Sequence, residues 1–554
     1  MAKKIKVNFR NIVTEEFDAE TTLLSVSKSF EKYFSYPILA AKVDNDICDL
    51  SETLSKKCDI DFFDRSSSVG NSIYSRGLQF MLVLAVSRIF DNMATVTIQH
   101  SIDKGFYCEV NGTIINKSLV SKIEQEMKKI CEEDLTFTKL SVARLDAIKF
   151  FKKKNMLDKV KVLKYISNTY VNLYRIDDVY DYFYGEMPYS TKSVDNFKIT
   201  YIKDNGIVVS YPDIYNPEIT LDYNHHEKLF NAFFDYTRWG QTVGISNAAD
   251  LNERVSTGRY DEIIRMAEIH YNNQLSSIAT EIKNKEKVRI VLIAGPSSSG
   301  KTTTSKKLET FLKCEGINTY SISIDDYFFN RDETPLDENG EPDFESTRAL
   351  DVDLFNKNLL SLISGKATNL PTYNFATGKR EYNKPAVVLN KDDIIIIEGL
   401  HALNDELTMS IERKNKYKIY IGPLTQLNVD HHNRIFTSDT RKLRRIVRDN
   451  KYRGYDAEHT LLQWKKVREG EEKYIFPYQD DVDRVVNSAL LYEIGVLKTY
   501  VEPLLFSVEE DSPVYPEALR LINFLRNFLP IPSEDIPLDS VLREFIGGSV
   551  FQDK

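Results

Sequence analysis

Val288-Arg-Ile-Val-Leu-Ile-Ala-Gly295-Pro-Ser-Ser-Ser-Gly300-Lys301-Thr302 is the stretch whose reading decides the fold. Its opening run is almost wholly apolar, as a strand buried on both faces of a parallel sheet requires. A glycine-bracketed loop follows, and 303–313 reads as a helix. Strand, loop and helix in that order are the setting in which G-x-x-x-x-G-K-[ST] binds phosphate. The glycines let the chain curl so that N–H groups aim at phosphate oxygens, and the helix N-terminus adds partial positive charge. The expected nucleotide cradle is Gly295, Pro296, Ser297, Ser298, Ser299, Gly300, Lys301, Thr302 and Thr303. Lys301 bridges β- and γ-phosphates in this reading, and the Thr302 hydroxyl ligates Mg²⁺.

Working outward, two later strands end in carboxylates. The segment 319–324 runs into Asp325-Asp326-Tyr327-Phe328, and 393–397 runs into Glu398-Gly399. Acidic groups at the C-terminal ends of parallel strands border the crevice where ligands bind in open α/β sheets. Transfer to an alcohol needs a carboxylate that accepts the hydroxyl proton close to the metal, so Asp325 is the expected base, with Asp326 second. Glu398 is the expected partner of Mg²⁺ and its waters. A helix cap or a solvated turn is the bland use of the same residues. Further on, Thr440-Arg441-Lys-Leu-Arg444-Arg445-Ile-Val-Arg448-Asp449 repeats arginine every three or four residues, which places several on one helical face. Bidentate guanidinium groups suit transferring phosphates, and a closing lid is the expectation; a solvated or RNA-contacting face competes with it.

The rest of the composition narrows the class. Among 554 residues, Lys plus Arg number 73 against 82 Asp plus Glu, and 42% hydrophobic with 28% charged is ordinary globular usage. The net charge of −9 argues against broad nucleic-acid binding. Apolar runs such as 394–397 are too short to cross a bilayer, and no signal segment opens the chain. Five scattered cysteines lack metal-ligand spacing and fit reduced thiols, so a cytoplasmic protein is expected. The adjacent pairs His225-His226 and His431-His432 point apart and are read as packing or polar residues.

Four consecutive units are expected. Residues 1–65 alternate like strands around a helix at 22–33 capped by Thr21 or Thr22, and 66–72 reads as a polar linker. A second α+β unit, 66–230, has a helix near 78–90, strands at 95–100 and 105–110, and an amphipathic helix at 118–131. A helical connector, 231–287, ends in a long helix over 261–284, and 288–554 alternates strand and helix. The fold class is thus an α/β phosphate-loop domain, parallel sheet with helices on both faces, preceded by two small α+β domains.

Over roughly 288–500 the motifs resemble the uridine kinase/phosphoribulokinase family, specifically uridine–cytidine kinases. The resemblance rests on Gly295 to Thr302, Ile324-Asp325-Asp326-Tyr327, Asp343-Phe344-Glu345, Pro371-Thr-Tyr373-Asn-Phe375, Ile397-Glu398-Gly399 and Asp439-Thr-Arg441 through Arg448-Asp449. It implies ATP as donor with Mg²⁺, Asp325 as base toward a nucleoside 5′-hydroxyl, and Glu398 helping Thr302 and Asp325 hold the metal. It also implies Arg441, Arg444, Arg445 and Arg448 against the triphosphate, and Phe344, Tyr373 and Phe375 around the nucleoside. Two positions depart from the family pattern. Glu345 stands where an aspartate binds ribose hydroxyls, and Gly378 stands where a histidine recognises the pyrimidine; Arg380 is nearby in the sequence.

The front half resembles the first two domains of threonyl-tRNA synthetase, a TGS domain and an editing-like module. The resemblance is carried by Ala40-Ala-Lys-Val-Asp-Asn, Tyr74-Ser-Arg-Gly-Leu78, Ile102-Asp-Lys-Gly-Phe-Tyr and Phe183-Tyr-Gly185-Glu-Met-Pro188. Tyr74, Leu78, Phe183 and Met187 occupy the positions of the editing histidines and cysteine, so the resemblance implies that editing chemistry is lost. The resulting expectation is a uridine/cytidine kinase with a small nucleoside-like acceptor. A kinase for a sugar, sugar phosphate or pantothenate-like alcohol is the alternative, and an RNA-associated regulatory ATPase is the reading from another class. No membrane partner is expected, RNA binding through the front domains is not expected, and a homo-oligomer is left open.

Overall fold

The computed structural model describes residues 4–285, 287–336, 340, 343, 346–374, 377–425 and 427–551. At the N-terminal end, Thr22 accepts from the Ser25 N–H at 3.3 Å and caps helix Leu23–Phe30. This helix covers a mixed sheet ordered Val13–Asp18, Lys4–Phe9, Cys58–Phe63, Ala40–Val43, Asp46–Cys48. Alternation in Lys4–Phe9 sends Ile5, Val7 and Phe9 inward, where Phe9 stacks on Phe30 with centroids 4.5 Å apart.

The stretch expected to be a linker is instead the start of a helix. Ser67 accepts from the Gly70 N–H at 3.0 Å and caps Ser68–Phe90. Serine and asparagine serve caps as readily as loops, so composition alone misassigns such a segment. This helix also corrects the expectation that no segment is apolar enough to span a bilayer: by length and composition it qualifies. Arg76 and Gln79 interrupt the linear run that a reading by run length looks for. Leu78, Met81, Leu82 and Ala85 are buried in a core with Phe106, Ile123 and Phe183. Around it lie an antiparallel sheet ordered Lys198–Tyr201, Gly206–Ser210, Gly105–Asn111, Thr95–Ile102 and a three-stranded sheet of Val179–Tyr182, Tyr170–Ile176 and Thr138–Ala143. The expected boundary at 230 falls inside helix Glu227–Thr242, which is followed by helices Ala248–Ser256 and Tyr260–Asn284.

The α/β part begins with β1 (Ile290–Ala294) and α1 (Lys301–Cys314), then β2 (Thr319–Ser323), α2 (Val352–Ile363), β3 (Ile394–Glu398) and β4 (Lys416–Gly422). It continues with α3 (Thr437–Arg453), α4 (Ala457–Tyr474), β5 (Arg484–Asn487) and α5 (Glu493–Phe506). The sheet order is β2-β3-β1-β4-β5 with every pairing parallel. Every residue of β1 and β4 is buried, as a sheet covered on both faces demands. Gly295 follows β1 because a Cβ there would collide with the Ile421 carbonyl of β4.

The units expected to be consecutive and distinct share a core. Phe151, Leu163 and Val171 of the second unit belong to one apolar cluster with Tyr271, Leu275, Val291, Ile419, Leu443 and Phe545. Polar anchoring adds to this. Lys159 Nζ lies 2.7 Å from Asp181 Oδ1 and 2.8 Å from Asp430 Oδ1, all three residues being 0% exposed, and His432 Nδ1 meets the other Asp181 oxygen. Asn428 donates to the carbonyls of Ile98 (2.7 Å) and Gln99 (2.9 Å), and the Ile98 N–H donates to His431 O at 2.7 Å. The segment 427–436, which leads into α3, is thereby seated in the second unit.

Burial alone would raise the Asp181 carboxyl, but Lys159 and His432 overcome it and hold it at about 2. A depressed carboxylate contributes stability that is present above its unfolded value and lost as pH falls toward 2. Asp181→Asn is therefore expected to cost about 3–5 kcal/mol at pH 7, because it leaves a buried ammonium half-answered. Urea unfolding at stepped pH should show this deficit narrowing between pH 4 and pH 2; a deficit that stays constant with pH would remove Asp181 from the charge cluster.

Candidate active site

Three adjacent strands bring the chemistry together. Glu398 is the register partner of Ile293 on one side and of Ser323 on the other. Two residues beyond these register partners, β1 reaches Gly295 and β2 reaches Asp325. The phosphate loop and both strand-end carboxylates thus share the C-terminal edge of the sheet. Lys301 curls back over its own loop, its Nζ donating to Gly295 O at 3.0 Å and Pro296 O at 3.3 Å.

The electrostatics of these groups are mutual. Burial lowers the Lys301 ammonium, and Glu398 and Asp325 support it. Burial raises Asp325, which Lys301 opposes and Asp326 reinforces. Burial and then Asp325 lift Glu398 to about 7, against Lys301 and the Ser323 hydroxyl. Two buried carboxylates, one of which raises the other, around one lysine make a site short of positive charge. Asp326 is separated from this pair: its Oδ1 accepts from the Tyr373 N–H at 3.0 Å and holds strand Thr372–Asn374. That contact distinguishes two aspartates which the sequence leaves side by side.

The loop is held from outside, carbonyl by carbonyl. Ser297 O accepts from Arg441 Nε at 2.9 Å, Ser298 O from Arg444 Nη1 at 3.4 Å, and Ser299 O from Ser488 Oγ at 2.6 Å. Arg445 Nη1 donates to Ser297 Oγ at 2.7 Å, and the Ser297 N–H donates to Glu471 Oε1 at 3.1 Å. Ser298 adopts φ +61, a left-handed conformation uncommon for a side-chain-bearing residue, and Gly300 follows at φ +87. Such backbone persists where its surroundings over-determine it, and here buried arginines do so.

Sequence reasoning placed four arginines against a triphosphate, and the structure divides them. Arg441 is 4% exposed and paired with Glu471, over the Trp464 ring at 5.1 Å. Arg444 is 0% exposed, its Nε 2.7 Å from Glu493 Oε2 and its Nη2 donating to Ser488 O at 2.7 Å. In this conformation both serve the loop backbone. Arg445 and Arg448 are less buried and share Asp449, at 3.2 and 3.0 Å. The Arg448 charge bears on Lys301. Arg453, the last residue of α3, is pulled down to about 10 by burial and by Arg448, with Asp449 and Asp325 supporting its charge. Its position ahead of Gly454, the left-handed helix cap at φ +70, was the available signal.

On the acceptor side, Tyr373 is buried with its ring 5.7 Å from Phe328. Arg380 Nη1 lies 2.8 Å from Asp351 Oδ2, which ties it to the start of α2. Gly378 has φ +68, and a Cβ there would press on Arg331. The expected nucleoside contacts Phe344, Glu345 and Phe375 lie outside the described residues. Thr302 is exposed at the start of α1, whereas the Thr303 N–H and Oγ1 both donate to Glu544, at 3.2 and 2.8 Å. Glu471, Glu493 and Glu544 were not legible as site residues, because each comes from an element distant in the chain.

Residues 290–493 match the Phosphoribulokinase / Uridine kinase family. A uridine kinase of Staphylococcus epidermidis is 30% identical over 198 residues, which cover 36% of this chain and 86% of that protein. A uridine kinase of Macrococcus caseolyticus is 28% identical over 222 residues, 40% of this chain and 98% of that one. Among solved structures, a D-glycerate 3-kinase from Cryptococcus neoformans aligns with a TM-score of 0.23 and 14% identity, covering 46% of this chain and 87% of its own. The family match takes in the loop, Asp325, Glu398 and α3, and leaves the first 289 residues and those after 493 outside it. With 86% of a uridine kinase spanned at 30% identity, the chain belongs to the phosphoribulokinase/uridine kinase family and is a phosphotransferase acting on a hydroxyl acceptor.

Proposed function

We propose that this chain transfers phosphate from ATP to the 5′-hydroxyl of a nucleoside of the uridine or cytidine type. The observation that carries the reading is the meeting of Lys301, Asp325 and Glu398 at the ends of three adjacent strands. Asp325 receives the proton of the acceptor hydroxyl at its carboxylate, while Lys301 answers the charge that builds on the transferring group. Thr302, Asp325 and Glu398 present hard oxygen donors to a cluster short of positive charge, which fits Mg²⁺. When bound, that ion neutralises phosphate charge. Arg448 and Arg453 lie within electrostatic reach of the same cluster and are the lid residues best suited to follow phosphate.

One observation favours a second acceptor class. The residue matching the pyrimidine-reading histidine is Gly378, whose positive φ and contact with Arg331 leave no unstrained place for a larger side chain. An acceptor bearing a hydroxyl and an anionic group, such as a sugar phosphate, suits the Arg331 guanidinium better than a neutral base does. As for the front of the chain, its TGS-like and editing-like resemblance is compatible with a role without chemistry: Tyr74, Leu78, Phe183 and Met187 are all buried packing residues.

Four outcomes check these assignments. Asp325→Asn should lower turnover by about 10²–10⁴ while ATP still binds, as measured by calorimetry beside ADP release; an unchanged rate would remove Asp325 as base. Lys301→Ala should lose both nucleotide affinity and rate, and chelation of Mg²⁺ should silence the wild type. Uridine, cytidine and a panel of sugars and sugar phosphates, scored by ADP release, should reveal one preferred class; preference for a sugar phosphate would transfer the reading to the second acceptor.

A further inference from the structure

Past the family match the chain continues, and its end returns to the phosphate loop. The short helix Arg543–Ile546 sets Glu544 over the first turn of α1, where its Oε2 accepts from the Thr303 N–H at 3.2 Å and from Thr303 Oγ1 at 2.8 Å. A first-turn amide with a hydroxyl beside it is the kind of donor set that phosphate oxygens take at a helix N-terminus. Here a carboxylate of the chain itself takes it. The Glu544 charge also bears on Lys301, together with Glu398 and Asp325.

Neighbouring residues make this more than a tertiary cap. Val541, 0% exposed, lies against Gly300, where any Cβ would collide with it. Phe545, also 0% exposed, lies 5.0 Å from the Arg444 guanidinium that supports the loop. Asp539 pairs with Lys307 of α1 at 2.9 Å, and Lys451 of α3 donates to Ile546 O at 2.6 Å. One segment therefore touches the loop, its helix and the lid at once. The tie to Lys307 is half open to water, with the Asp539 side chain 47% exposed against 3% for the lysine, and the tie to Lys451 is a single hydrogen bond to a backbone carbonyl.

We propose that residues 533–551 form an intramolecular competitor of the nucleotide, with Glu544 standing in for a phosphate on Thr303. This regulation rests on the ATP-binding reading of the loop given above. ATP binds the withdrawn form, so apparent affinity equals intrinsic affinity scaled by the fraction withdrawn. Removing the Glu544 charge weakens the closed form and spares the incoming phosphates a like-charge neighbour.

Calorimetry with Mg·ATP on the full chain and on Glu544→Gln tests this, with hydrogen exchange of 533–551 in the wild type as a readout that needs no substitution. The expected result is ATP affinity tightened roughly tenfold or more in the variant, and faster exchange in 541–547 of the wild type when ATP is added. Equal or weaker ATP binding by Glu544→Gln, with 541–547 equally protected with and without ATP, overturns the competitor and leaves a structural cap. A fall in kcat at unchanged ATP affinity also overturns it, by making Glu544 part of the chemistry. If neither protein binds ATP while both remain folded, the nucleotide reading of the loop fails and the competitor falls with it; retained binding by wild type that is lost in Lys301→Ala separates that failure from the others.

Discussion

The backbone of the phosphate loop is pinned by guanidinium groups that are themselves buried, and most of this molecule's arrangement follows from that constraint. A loop with two left-handed residues in three, Ser298 at φ +61 and Gly300 at φ +87, does not hold itself. Arg441 and Arg444 hold it through the carbonyls of Ser297 and Ser298. Each arginine is unaffordable in the interior without a counter-charge, so Glu471 comes from α4 and Glu493 from the start of α5. The same α3 that carries these supports carries Arg445, Arg448 and, at its end, Arg453 toward the reacting side. The residues that support the loop and the arginines beyond them are consequently carried by one continuous helix.

The approach to α3 is where the front of the chain enters. Segment 427–436 hydrogen-bonds to the edge strand Thr95–Ile102 and places Asp430 and His432 in a buried charge cluster with Lys159 and Asp181. Charges removed from water in this way give orientation rather than net stability, since apolar residues would fill the space at lower cost. The second unit is thus packed against the approach to α3, and Tyr271 of the long connecting helix reaches Thr304 of α1 at 2.5 Å. An appendage joined only by a linker would leave neither contact.

The two aspartates after β2 show how local pattern and tertiary placement divide the work. Side by side in sequence, Asp325 and Asp326 differ by direction: one is sealed with Lys301 and Glu398, the other holds a strand through the Tyr373 amide. The arginines of α3 divide likewise, with Arg441 and Arg444 bonded to the loop backbone and Arg445 and Arg448 sharing Asp449. Spacing of three and four residues correctly put them on a helix, but which face the loop occupies is set by the packing of α3 against α4, α5 and the C-terminal segment.

By itself the sequence determined the parallel α/β fold, the phosphate loop and the strand-end carboxylates, because each is encoded within a dozen contiguous residues as an apolar run and the turn or charge that ends it. It also determined the long helix before β1 and narrowed the cap of the first helix to Thr21 or Thr22, of which the structure takes Thr22, features that rest on local hydrogen bonding and period. The start of helix Ser68–Phe90 escaped, although its second half was read as helical, since a cap and a loop draw on the same residues. Only the tertiary structure decided that the front units share a core with the kinase part, that Glu471 and Glu493 answer the buried arginines, and that Glu544 reaches Thr303. Those partners stand 30 to more than 200 residues apart, and a charge carries no mark in the sequence of the opposite charge it will meet.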